Sequence, residues 1–209
     1  MLPIAPEGRP YLAALAVLLA IAHLALGPWA LPSWLLLLAG GFLFRSLPRE
    51  IPPRPLGVVS PVDATVEWVG ECRDPFLNRD ALCITLRQGR SGEFNLHSPV
   101  EGRVQRYWRP AANERMEKGG RFGLWLTTDE QDDVVLVVNC RDWPHLMRCP
   151  VTTGDRLGQG RRCGFLGFGR VVDLYLPASA RAEVTSGSRV LAGSGVLATL
   201  VHKQPGGPM

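Results

Sequence analysis

Two stretches of this chain carry nearly the same seven residues: SPVDATV at 60–66 and SPVEGRV at 98–104. The first contains Asp63, and the second follows directly on His97. A carboxylate and an imidazole on matching turns of a duplicated fold can be brought together by its pseudo-symmetry. An aspartate that fixes the tautomer of a histidine, with the histidine acting as base, is the arrangement that activates a nucleophile. The plainer reading is that a turn aspartate caps its own backbone and that a single histidine lies on a surface. Spacing alone leaves both open.

The elements around these turns read as mostly β. Short β-rich runs cover 65–69, 81–87, 102–108, 124–127, 134–138, 171–176 and 196–201, with Gly, Pro, Asn and Asp between them. A second repeat accompanies the first. GDRLGQGRRCGFL (154–166) and GSRVLAGSGVLATL (187–200) share G-x-R-[LV]-x-x-G, and in each the two glycines bracket a tight turn. The expected architecture is a duplicated barrel-sandwich-hybrid-like β domain. In it each SPV turn feeds a strand that packs against a later G-x-R-[LV] strand. Chance recurrence of common turn chemistry is the alternative. Carrier modules share such folds, but the two lysines, Lys118 and Lys203, do not lie in the turn a carrier needs.

Ahead of the β domain, residues 11–44 contain no Asp, Glu, Lys or Arg. Gly27, Pro28 and Pro32 interrupt the run, which predicts two short helices over 11–26 and 33–44. Residues 1–45 are thus expected to form an α-helical membrane hairpin, and a shallow or re-entrant one fits helices this short. Residues 46–57 hold four prolines and read as a stiff linker, leaving 58–204 for the β domain. Arg45, Arg49 and Arg54 follow the second helix, whereas the turn between the helices has no charge. The positive-inside rule then places the β domain in the cytoplasm, at the inner membrane.

A net charge of +4 suits anionic lipid head groups, and no aromatic-basic module for nucleic acid is visible. The five cysteines include no CxxC pair, which predicts reduced thiols and no metal site.

Six segments in order resemble the small bacterial and archaeal type of phosphatidylserine decarboxylase. IAPEG (4–8) precedes the hairpin, and FLFRSLPREIP (42–52) is similar to F-F-R-D-P-x-R-x-x-P. VVSPVDATV resembles S-P-A-D-G-x-V, HSPVEGRV resembles H-x-P-V-D-G-x-V, and ANERM (112–116) resembles N-E-R-N. GDRLGQGRRCGFLGFGRVVDLYLP (154–177) resembles G-D-x-V-x-x-G-x-x-F-G-x-I-x-F-G-S-R-V-D-V-Y-L-P.

The resemblance implies a proenzyme in which a serine attacks the preceding glycine carbonyl, aided by an Asp–His pair. The product is a pyruvoyl group that decarboxylates phosphatidylserine to phosphatidylethanolamine. Asp63 and His97 fall on the family's pair, and Asn113, Glu114 and Arg115 fall on a segment near the substrate site. At the processing site, however, the family's F-G-S reads Phe168-Gly169-Arg170. Arginine has no hydroxyl, so the pyruvoyl group expected for the family is not supported. A second family histidine falls at Phe94, and the acidic residue of F-R-D-P is replaced by Ser46 or Leu47.

Gly187-Ser188 and Gly193-Ser194 are other Gly-Ser bonds, best read as ordinary turn serines. One expectation is a membrane-anchored decarboxylase homologue of phospholipid synthesis, with Arg170 arguing against self-processing. The alternative is an inactive homologue that binds an aminophospholipid or partners an active paralogue, with a homo-oligomer as a further arrangement.

Overall fold

In the computed structural model, which describes residues 4–89, 92–108, 121–139, 147–167 and 170–201, the uncharged N-terminal run folds back on itself. Helix α1 spans Arg9–Leu26 and helix α2 spans Leu35–Leu43. Between them Gly27–Trp34 forms a 3₁₀ segment that starts at Gly27 with φ +58° and carries Pro28 and Pro32. Prolines without an N–H favour that tighter winding over a regular α-helix. This is why α2 starts two residues later than the apolar run predicts.

The hairpin closes at its root. Ile4 and Arg45 form an antiparallel bridge, and Ala5 N–H donates to the Phe44 carbonyl at 2.7 Å. Its apolar surface stays largely uncovered, with Leu24 87% and Trp29 90% exposed.

The rest is β structure. The strands are β1 (Gly57–Val59), β2 (Ala64–Asp74), β3 (Arg79–Gln88), β4 (Asn95–His97) and β5 (Gly102–Trp108). They continue with β6 (Arg121–Thr127), β7 (Asp133–Asn139), β8 (Met147–Arg148), β9 (Arg156–Leu157) and β10 (Arg162–Leu166). The last are β11 (Val171–Pro177), β12 (Arg181–Ala182), β13 (Arg189–Val190) and β14 (Val196–Thr199). Eight strands form one sheet in the order β13-β2-β3-β11-β7-β6-β5-β9, flanked by the small sheets β1-β14-β12 and β4-β10-β8. All pairings are antiparallel.

The duplication is visible bond by bond. Strand β2, which leaves the first SPV turn, pairs Ala64 with Val190 of β13. Strand β5, which leaves the second, pairs Gly102 with Leu157 of β9. Ser60 Oγ donates to the Val62 carbonyl at 2.7 Å, and Ser98 Oγ donates to that of Val100 at 2.8 Å. The turns also clasp each other reciprocally. Val59 N–H donates to Pro99 O (2.8 Å) and His97 N–H to Pro61 O (2.9 Å). The four bracketing glycines, 154, 160, 187 and 193, all have positive φ, the conformation a residue without Cβ adopts at little cost.

Alternation along the strands buries one face, as in β11 where Val172, Leu174 and Leu176 are fully covered. These join Ile84, Leu86, Leu124, Leu126 and Leu136 in the main core. A separate cluster of Ala5, Phe44, Phe94 and Phe165 fastens the hairpin root to the domain, with the Phe44 and Phe165 rings stacked at 5.2 Å.

Two of the cysteines are brought side by side. Cys72 and Cys83 lie on the adjacent strands β2 and β3 with Cα atoms 5.9 Å apart. They are eleven residues apart in sequence, and only the strand register makes them neighbours. Cys149 and Cys163 are buried in the main core, and Cys140 lies outside the described residues.

Candidate functional site

Asp63 stands at the end of the first SPV turn, 8% exposed. Arg49 holds both its oxygens, with Nη2 donating to Oδ2 at 2.8 Å and Nη1 to Oδ1. The backbone N–H groups of Glu93 (2.9 Å) and Ala192 (2.8 Å) complete the set. Burial pushes the Asp63 carboxyl up, but hydrogen bonds from Arg49, Glu93 and Ala192 outweigh it and leave the carboxyl below its ordinary value. Gly92 makes the approach of the 92–93 backbone feasible, since a Cβ there would lie 2.6 Å from that of Asp63.

His97 sits on β4, 8% exposed. Its Nδ1 is 2.8 Å from the Gly160 carbonyl and its Nε2 is 3.0 Å from Glu93 Oε1. The Gly160 carbonyl can only accept, so the Nδ1 contact fixes a proton on that nitrogen and turns Nε2 toward the Glu93 carboxyl. The second glycines of the two G-x-R-[LV]-x-x-G turns enclose this ring from one side. Gly160 supplies the carbonyl, and a Cβ on Gly193 would lie 3.0 Å from Nδ1.

Pseudo-symmetry does bring the two SPV turns together, yet among the described hydrogen bonds and ion pairs none joins Asp63 to His97. Glu93 stands between them. Its backbone N–H serves Asp63, and its carboxylate meets His97, accepts from Asn95 Nδ2 and from Leu47 N–H (3.2 Å), and lies 4.0 Å from Arg49 Nη2. Glu93 is fully buried. Burial raises its carboxyl, and the hydrogen bonds of His97, Asn95 and Leu47 with the His97 charge bring it below the ordinary value.

Glu93 was missed by motif reasoning. The signal that finds it is the alternation E-F-N-L-H over 93–97, which sends Glu93, Asn95 and His97 one way and Phe94 and Leu96 the other.

Phe94 stands where the resemblance expects a second histidine. Its side chain is 1% exposed in the cluster that docks the hairpin, on the opposite side of the strand from His97. The proline-rich segment also does more than link, because Leu47 and Arg49 contribute directly to the site.

Arg170 is 2% exposed. Its N–H donates to Gln88 Oε1 (3.3 Å), and its carbonyl accepts from Gln88 N–H (2.9 Å). The next residue, Gly89, donates to the Asp63 carbonyl (2.8 Å), so position 170 is two hydrogen-bonded steps from Asp63. Gly169 and the segment Asn113, Glu114 and Arg115 lie outside the described residues. Among the described residues no group of three or more His, Cys, Asp or Glu is placed to hold a metal ion.

No protein-family profile matches the chain, and no solved structure matches it. Curated relatives do. A phosphatidylserine decarboxylase proenzyme of Aromatoleum aromaticum is 39% identical over 208 residues, covering 94% of this chain and 95% of that protein. Proenzymes of the same name from Nitrosomonas europaea (35% over 206 residues, 93% and 94% covered) and Cupriavidus pinatubonensis (34% over 209 residues, 94% and 95%) are similar along the same length. With identity this high along nearly the whole of both partners, the chain belongs to the phosphatidylserine decarboxylase family.

Proposed function

We propose that this protein is a membrane-anchored member of the family in phosphatidylethanolamine synthesis that does not generate a pyruvoyl group at 169–170. In this reading it engages an aminophospholipid without decarboxylating it. The carrying observation is Arg170, a buried guanidinium where the family's self-processing chemistry needs a hydroxyl. The residues at that position do not fit the prosthetic group, so no reaction step is routed through it. Asp63 and His97 are retained, but Asp63 is committed to Arg49 and two amides, and His97 to Glu93 and Gly160. Such a site holds its shape and fixed charges without a free base beside a nucleophile. The uncharged hairpin supports anchoring in the inner membrane with the β domain on the cytoplasmic face.

The test is the intact mass of protein purified from its native host, measured under denaturing conditions. One uncut species near 22.9 kDa is expected. Two fragments, the smaller with a ketone-reactive N-terminus, would overturn the proposal, and the fragment mass would identify the bond cut. Fragments appearing in Arg170→Ser while the wild type stays whole assign the loss to this position.

A further inference from the structure

Glu93 is linked to both roots of the hairpin as well as to His97, directly on the C-terminal side and through Arg162 and Asn95 on the N-terminal side. On the N-terminal root, Glu7 pairs with Arg162, whose Nε donates to Asn95 Oδ1 at 2.8 Å, and Asn95 Nδ2 in turn donates to Glu93 Oε1. On the C-terminal root, Leu47 N–H donates to Glu93 Oε2, and Arg49 lies beside the same oxygen while clasping Asp63. The apolar cluster of Ala5, Phe44, Phe94 and Phe165 holds both roots against this strand.

We propose that Glu93 is the positioning carboxylate of His97, and that the docked hairpin sets its place through Glu7–Arg162–Asn95 on one side and Leu47–Arg49 on the other. The histidine end of the site is then complete only while the hairpin root is seated on the β domain. A carboxylate with no exposure needs every one of these donors to stay ionised. Loss of the root removes the Leu47 and Arg49 contacts directly and releases Arg162 from Glu7. This goes beyond the proposed function, because it holds whether or not the chain is ever cut.

The charged groups around His97 are Glu93 with Arg49 and Asp63 behind it, and Arg162, its register partner on β10, with Glu7. The full-length protein in phosphatidylcholine nanodiscs, labelled at its four histidines, allows the His97 ring to be followed by NMR through a pH titration. Loss of the signal in His97→Gln identifies it.

Glu93→Gln is expected to lower the His97 midpoint by about one unit, roughly tenfold in proton affinity. Glu7→Gln is expected to move it the same way by a smaller, several-fold step. Glu67→Gln, which breaks an exposed pair with Arg87, should leave it in place. Asn95→Ala removes the bridge without changing a charge, and in that background Glu7→Gln should no longer act. An unmoved midpoint in Glu93→Gln or Glu7→Gln, in protein with wild-type near-UV dichroism, would overturn the assignment. So would an undiminished Glu7 effect without Asn95, which would indicate a through-space field rather than a linkage.

Discussion

Arg49 and Asp63 form a largely enclosed, two-point ion pair, with side chains 14% and 10% exposed. Removing one member of such a pair strands the other among buried groups, at a cost of about 3 kcal/mol. Arg49→Ala is therefore expected to destabilise the fold by about that amount in a urea melt. Arg49→Lys should recover only part of it, because an ammonium cannot bond both carboxylate oxygens in the same fork.

The acid limb of stability belongs to the same residues. Asp63 and Glu93 lie below their ordinary values of 3.8 and 4.5 in the folded chain. Their contribution is full above those values and disappears as pH falls through the lower folded ones. The thermal midpoint should drop steeply below about pH 4, and the drop should be shallower in Asp63→Asn, which starts from a lower plateau. An equally steep acid limb in that variant would exclude Asp63 as its source.

At the scale of elements, the paired glycine turns separate two costs that are usually confounded. Gly154 and Gly193 both have positive φ, +97° and +71°, but a Cβ at 154 would meet open space, whereas one at 193 would meet His97 and the Gly160 carbonyl. Gly154→Ala should cost about 1 kcal/mol, the backbone penalty alone. Gly193→Ala should cost about 1–2 kcal/mol more and perturb the His97 ring resonance. Equal losses in denaturant melts would show that the ring enclosure contributes nothing.

Strand β4 makes a similar distinction by its two faces. Phe94→His, which restores the residue type expected from alignment, should destabilise by about 3 kcal/mol through loss of aromatic packing and loosen the hairpin root. It should not add a base to the site.

Across the whole molecule, the duplicated frame carries an unduplicated site. The residue equivalent to His97 in the other copy is Val59, which is fully buried in the reciprocal clasp. The equivalent of Asp63 is Glu101, which faces out and pairs with Arg156. Each copy therefore contributes one member of the polar cluster, Asp63 on the first turn and His97 ahead of the second, and the hairpin root seals that cluster from the side. Of the three arginines that follow α2, Arg49 is committed to Asp63 and Arg54 to Glu183, so the domain draws on the basic segment as much as a lipid surface would.

Much of this was legible along the chain, because short-range rules govern it. Alternation located the longer strands, and β5 covers the run 102–108 without adjustment. The absence of charge over 11–44 and the breakers at Gly27, Pro28 and Pro32 defined the hairpin. The two repeats revealed the internal pairing, since a backbone that needs positive φ at four places is written in glycine.

Only the tertiary structure decided which carboxylate serves which partner. Arg49 reaches Asp63 across fourteen residues and Ala192 lies 129 away, while Glu93 meets a hairpin root that begins at Ile4. Such contacts depend on how strands and loops converge, and one-dimensional spacing does not encode convergence. The same reason hid the close approach of Cys72 to Cys83 and the part Phe94 plays as an anchor for the hairpin.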